Sequence, residues 1–167
     1  ICVPSRCSFL SGLYPHTDGH RTMHFLQRED EPNILRTMKN AGYEVIWIGR
    51  NDVIPGTRSK EEYCDAYYDG IHREDTKSIV SLMKMASHEK TKEWNDDMYS
   101  FYIGKVPGYG KVDEGCVEAC LRYLDEKAAS GNKKPFFVYC TLSFPHPPYG
   151  CDDPWYSLID RNRLPKR

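Results

Sequence analysis

Two stretches of the chain repeat one order of elements. Residues 32–41 carry helix signals and stop at Gly42, and Glu44-Val45-Ile46-Trp47-Ile48 follows as an apolar run closed by Gly49. Residues 112–129 carry helix signals and stop at Gly131-Asn132, and Phe136-Phe137-Val138-Tyr139-Cys140-Thr141-Leu142 follows as a second apolar run. Helix, glycine, apolar strand and polar loop, in that order and twice, is the grammar of an α/β protein with a parallel sheet. Strands in such a sheet are buried on both faces, so both runs are expected to be covered by helices. Ligands in these sheets bind beyond the carboxyl ends of the strands. The loops at 49–52 and 143–149 both leave such ends and are expected to converge on one site, with the strand order left open.

The remaining segments fill in around this core. Residues 1–14 read as a turn and a short helix, with Pro4 in the first turn and Phe9, Leu10 and Leu13 as the apolar face. Residues 15–31 read as loop. The helix at 32–41 takes Pro32 in its first turn and Ile34, Leu35 and Met38 as its stripe. The helix at 112–129 takes Val117, Cys120, Leu121, Leu124 and Ala128 as its buried stripe. Residues 53–111 are rich in tyrosine, with a solvated stretch at 84–96 and a strand at 98–103, and read as a variable insertion or substrate-loop region.

Charge and cysteine usage bound the function. Lys and Arg number 23 against 24 Asp and Glu, so no basic excess points to nucleic acid. No run approaches the roughly 18 apolar residues of a membrane span. Seven cysteines at odd spacings show no disulfide framework, and Cys120 and Cys140 fall in segments read as core. Reduced thiols and a cytoplasmic location are expected, with export left open. Cys116 and Cys120, four apart, read as small core residues.

The densest chemistry lies at Cys2-Val3-Pro4-Ser5-Arg6-Cys7-Ser8-Phe9-Leu10-Ser11-Gly12. Arg6 follows Cys2 too closely for the phosphate loop of a cysteine phosphatase, and no CxxC serves redox chemistry. Cys-x-Pro-Ser-Arg with a trailing Ser-Gly resembles the sulfatase signature, with Ser11 where that family usually has threonine. The resemblance implies that Cys2 is oxidised to formylglycine by a maturation enzyme. The hydrated aldehyde would attack the sulfur of a sulfate ester, and the sulfated hemiacetal would then expel sulfate. The placement suits an anion: Pro4 starts a helix, so position 2 sits at a helix N-terminus. Arg6, one turn on, is expected to point back and stabilise the ionised oxygen.

The resemblance extends along the chain. Gly12–His16 and Gly19–Thr22 are similar to the loop after the signature, which puts His16 and His20 forward as pocket-lining, substrate-binding residues. Gly49-Arg50-Asn51-Asp52 stands where the family has Gly-Lys-x-His. Arg50 is therefore expected to bind sulfate, as a planar fork in place of an ammonium, and Asp52 to handle a proton. His146, in Pro145-His146-Pro147-Pro148-Tyr149, looks like the family histidine that touches sulfate and protonates the leaving alcohol.

The resemblance also implies a divalent cation, calcium or magnesium, held by hard oxygen ligands. Formylglycine from Cys2 would be one ligand. No acidic pair follows an apolar strand here, so Asp96-Asp97 and Asp152-Asp153 are not expected to hold it. The implied fold is the alkaline-phosphatase-like α/β fold. Residues 1–167 would form the central part of a catalytic domain whose first strand and C-terminal metal-binding part lie elsewhere, so that the chain by itself would be inactive. The implied substrate is a sulfated small molecule or glycan, with neither nucleic acid nor membrane as partner. Two alternatives stay open: a phosphonate or phosphate-ester hydrolase of the same superfamily, and a non-catalytic sulfate- or carbohydrate-binding protein.

Overall fold

The structure, a computed structural model, describes residues 2–69, 102–105, 110–146 and 149–165. The chain divides into two compact units, residues 1–70 with 116–142, and residues 71–115 with 143–167.

The first unit is built on a three-stranded parallel sheet in the order β2-β1-β4: β1 (Glu44–Gly49), β2 (Ala66–Tyr68) and β4 (Phe136–Thr141). The central strand β1 is buried on both faces, as its unbroken apolar run predicts. Its side chains alternate. Val45 and Trp47 face one core with Val3, Cys7, Leu10 and Leu35, while Ile46 and Ile48 face a second with Cys116. The α/β class with a parallel sheet stands as read from the sequence.

Helix α1 spans Cys2–Ser11 and buries Val3, Cys7 and Leu10, an i, i+4, i+7 stripe. The expected face was different: Phe9 is 71% exposed and Leu13 lies past the helix. Helix α2 spans Ile34–Asn40, and its cap is Asn33, whose side chain accepts from Leu35 N–H at 2.8 Å. Pro32 therefore precedes the helix. Leu35 and Met38 face the core, and Ile34 is largely exposed.

Two further expectations are corrected. Helix α3, Lys111–Ser130, packs against the sheet with Cys116, Ala119, Cys120 and Tyr123. The expected stripe of Val117, Leu121, Leu124 and Ala128 is exposed. The two stripes are one residue out of step, a rotation of about 100° on a helix. Among the described residues β4 has a neighbouring strand on one side only, and Phe136 and Cys140 are exposed, so its apolar run is not buried on both faces. Cys140 is accordingly a surface residue. No disulfide joins any of the seven cysteines.

Residues 53–69, at the start of the expected insertion, are integral to this unit. Val53, Ile54, Tyr63 and Cys64 lie in the first core, and β2 completes the sheet. The expected solvated stretch at 84–96 and the pair Asp96-Asp97 lie outside the described residues.

The second unit contains a two-stranded parallel sheet of β3 (Tyr102–Lys105) and β5 (Tyr149–Cys151), then α4 (Trp155–Leu158) and a 3-10 turn at Arg161–Arg163. Of the strand expected at 98–103, residues 98–101 lie outside the described residues, and 102–103 fall in β3. β5 and the elements after it are too short to leave a periodicity in the sequence. No described helix is long and apolar enough to cross a membrane.

Candidate active site

In the first unit, the carboxyl ends of β1 and β4 lie side by side, with Gly49 opposite Thr141. Gly49 has φ +95°, a conformation that favours glycine, and a Cβ built there would stand 2.0 Å from the Thr141 carbonyl oxygen. This turn carries Arg50, Asn51 and Asp52 out of the sheet. Asn51 shapes the loop: its Oδ1 accepts from Val53 and Ile54 N–H at 3.1 and 2.9 Å, and its Nδ2 donates to the Ile54 carbonyl at 2.8 Å.

Arg6 reaches this loop from α1. Its Nε lies 3.5 Å from Asp52 Oδ2, Nη1 donates to the Arg50 carbonyl at 3.4 Å, and Nη2 donates to the Leu142 carbonyl at 3.5 Å. Arg50 Nε meets the other oxygen of Asp52 at 3.1 Å. The Asp52 side chain is 12% exposed, so its charge is compensated by guanidinium groups on two sides rather than by water. Arg50 is 41% exposed and remains open to an external anion. The sequence thus pointed to Arg6, Arg50 and Asp52, and the fold brings all three together. Arg6 was expected to point back toward position 2, whereas its nitrogens are held by the ends of β1 and β4.

Cys2 is the first residue of α1, half-buried, with its Sγ donating to Met23 Sδ at 3.2 Å. Cys7, one turn beyond, is fully buried, and desolvation pushes its thiol from 9.0 to about 11, with Glu31 adding to the rise and a backbone bond from Gln27 opposing it. Position 2 is therefore the accessible member of the pair.

A row of aromatic rings lies beneath this group. Tyr67, Trp47 and Tyr139 are cross-strand neighbours on β2, β1 and β4, with edge contacts at 5.5 and 5.6 Å. Phe9 of α1 stacks on Tyr139 at 6.1 Å. Burial raises the Tyr139 phenol above its ordinary value, while the adjacent Arg6 guanidinium works against that rise. Burial raises Tyr67 as well, with Asp69 adding to the effect, and the Asn51 backbone N–H opposes it. Sequence reasoning missed Tyr67, Tyr139 and Thr141, since nothing in a strand pattern marks which residue sits at the functional end.

His16 and His20 take other places. His16 is exposed and stacks on the Tyr14 ring at 5.6 Å. His20 is 3% exposed; its Nδ1 lies 2.6 Å from the Phe25 carbonyl and its Nε2 2.6 Å from Glu31 Oε2. Both nitrogens face acceptors, so neither is available to a sulfate. The alternation of Pro, His, Thr and Gly in this loop carries no signal for that burial.

Asp18, His20 and Glu31 bring their ligand atoms within 4.8 Å of one another. Glu31 Oε1 makes no aligned hydrogen bond, but Arg28 Nη1 lies 3.2 Å away and Arg28 Nη2 lies 3.5 Å from Asp18 Oδ1. Arg28 already brings a positive charge to both carboxylates. Near the first site, Asp52 is held by two arginines. In the second unit Asp153 pairs with Lys105 and accepts from Ser157. Among the described residues, no set of oxygen ligands fits a divalent cation beside Cys2.

His146 belongs to the second unit and is half-buried, with its backbone N–H donating to the Ser143 carbonyl at 2.8 Å. The start of its loop is pinned by Asp113, in the first turn of α3. The two carboxylate oxygens accept from Ser143 and Phe144 N–H at 2.7 and 2.8 Å. Asp113 was not anticipated, because its role depends on a partner far along the chain.

Comparison with known proteins places the chain in a family. The sulfatase family pattern matches residues 1–158. The chain is 23% identical to arylsulfatase K of Xenopus laevis over 147 residues, covering 88% of this chain and 24% of that protein. It is 25% identical to N-acetylglucosamine-6-sulfatase of Capra hircus over 170 residues, 89% of this chain and 27% of that one. A shorter match, 38% over 55 residues, joins it to an ulvan-active sulfatase of Formosa agariphila, covering 33% of this chain and 11% of that protein. The chain spans about a quarter of the length of the first two relatives. It belongs to the sulfatase family.

Proposed function

We propose that this chain carries the nucleophile and part of the sulfate-binding wall of a sulfuric ester hydrolase. The observation that supports it best is the meeting of Arg6, on the helix that begins with Cys2, with Arg50 and Asp52 in the loop that leaves β1. Formylglycine made from Cys2 would supply, as its hydrate, an oxygen nucleophile for sulfur and a later route for expelling sulfate.

The chain's own residues then have separable roles. Arg50, the more exposed guanidinium, binds the equatorial sulfate oxygens. Arg6 supplies positive charge beside Arg50 at the ends of β1 and β4, and the helix dipole favours an anion at the amino end of α1. Asp52 holds both guanidinium groups and accepts the proton released as the aldehyde reforms. His146 donates a proton to the departing alcohol oxygen. Calcium or magnesium, which sulfatases typically use, enters no step derived from these residues, because the described acids already face arginine, lysine or backbone donors. The names of the relatives favour a sulfated sugar as substrate. Seven cysteines without a disulfide fit a reducing compartment.

The test has two arms. The protein is co-produced with a formylglycine-generating enzyme, and the peptide around Cys2 is weighed by mass spectrometry. An aldehyde in place of the thiol is expected, and an unmodified thiol would favour a non-catalytic binder. Rates on an aryl sulfate and an aryl phosphonate are then compared in a matured protein that carries this chain within a complete catalytic domain, the form in which every turnover below is measured. Preference for the phosphonate would overturn the sulfatase assignment.

A further inference from the structure

Beyond these residues stand the Asp18–His20–Glu31 cluster, the exposed stripe of α3 and the hydroxyl of Thr141. The cluster is neutralised by Arg28. Nothing in the structure shows what would cover Val117, Leu121 and Leu124. Thr141 carries an inference further.

We propose that Thr141 is a positioning residue, whose hydroxyl fixes the Arg50 carbonyl and thereby sets where the Arg6 and Arg50 guanidinium groups stand. This rests on the role given to those two arginines above. Thr141 is the last residue of β4 and is 7% exposed. Its Oγ1 lies 2.9 Å from the Arg50 carbonyl and 3.3 Å from the Ile48 carbonyl. A hydroxyl has one proton to give, and the shorter contact takes it. The same Arg50 carbonyl accepts from Arg6 Nη1 at 3.4 Å.

A closed circuit results. Thr141 holds the Arg50 carbonyl, that carbonyl receives Arg6, Arg6 reaches Asp52, and Asp52 returns to Arg50 Nε. The next carbonyl along, Leu142, receives another nitrogen of Arg6. Gly49 makes the circuit possible, since any side chain there would collide with the Thr141 backbone. For packing alone valine would serve at position 141, because it has the same shape. The hydroxyl is needed because the Arg50 carbonyl would otherwise keep only the longer contact to Arg6.

The test compares Thr141→Val, Thr141→Ser and Thr141→Ala in the full chain. The readouts are the Nε–H NMR signals of Arg6 and Arg50, affinity for inorganic sulfate, and the urea midpoint. Serine is expected to retain all three. Valine is expected to shift both arginine signals and weaken sulfate about three- to tenfold, the value of one hydrogen bond, with little change in urea midpoint. Alanine should repeat the arginine and sulfate changes if valine fails to fold. Unmoved arginine signals in valine and alanine would overturn the proposal. Shifted signals with no sulfate binding in any form, wild type included, would support positioning by Thr141 and refute the sulfate role of the two arginines.

Discussion

Arg6 Nε and Asp52 Oδ2 stand 3.5 Å apart, joining the first helix to the loop that leaves the central strand. Their side chains are 18% and 12% exposed, so water screens the pair only partly. Asp52 also receives Arg50. Asp52→Asn removes the charge that both guanidinium groups face. In the matured protein, turnover of an aryl sulfate should fall about 10²-fold or more, the usual cost of disturbing a preorganised charged site. Undiminished turnover would remove Asp52 from the chemistry.

Gly49 offers a test of the strand ends themselves. Gly49→Ala would place a methyl group against the Thr141 carbonyl in a positive-φ conformation. Destabilisation of about 3 kcal/mol or more is expected from urea unfolding. Gly12 also has positive φ but opens into empty space, so Gly12→Ala should cost only about 1 kcal/mol. Equal costs would show that the close approach of β1 and β4 is not what selects glycine.

His20 and Glu31 form a buried pair, with the His20 ring held between Glu31 and the Phe25 carbonyl. His20→Ala leaves Glu31 without that partner and should destabilise the fold by about 3 kcal/mol. Replacing both by apolar residues should cost less than the two single changes added together. Affinity for sulfate, measured on whichever variants remain folded, should not change. A loss of sulfate affinity with normal stability would return His20 to the pocket.

Asp113 holds the first residues of the loop that bears His146. Asp113→Ala releases two backbone donors, and Asp113→Asn retains one acceptor oxygen. Turnover should fall about tenfold for alanine and less for asparagine. A fall in stability with undiminished turnover would mean that Asp113 acts on folding alone.

Cys7 gives a pH signature. Its folded thiol lies near 11, against an ordinary 9.0. The folded state therefore keeps a proton that the unfolded state releases. The stability this confers is fully present below pH 9 and is lost as pH rises from about 9 to about 11. Urea midpoints across that range should fall for wild type and fall less for Cys7→Ala. Thiol labelling of the folded protein near pH 8 should reach Cys2 before Cys7. Faster labelling of Cys7 would contradict its burial.

Much of this molecule was legible from local pattern. The apolar run at β1 was long enough, and glycine-bounded enough, to mark a strand buried on both faces. The Cys-x-Pro-Ser-Arg string and the residues after Gly49 marked three side chains that do meet. Periodicity selected the wrong face of α3: hydrophobicity favours Val117, Leu121 and Leu124, whereas Cys116, Ala119, Cys120 and Tyr123 are the side chains that meet the core. Burial of β4 was overread, since a strand's position in a sheet depends on its neighbours and not on its own residues.

The sequence by itself determined the element types, the parallel α/β class and the identity of the charged residues at the candidate site. Those follow from backbone propensity, side-chain period and the chemistry each residue type can perform. Tertiary structure alone decided that Thr141 meets the Arg50 carbonyl, that Arg6 turns to the strand ends, and that His20 is enclosed by Phe25 and Glu31. Each of these is a contact between distant positions, set by strand register and helix docking, and no local pattern encodes such a contact.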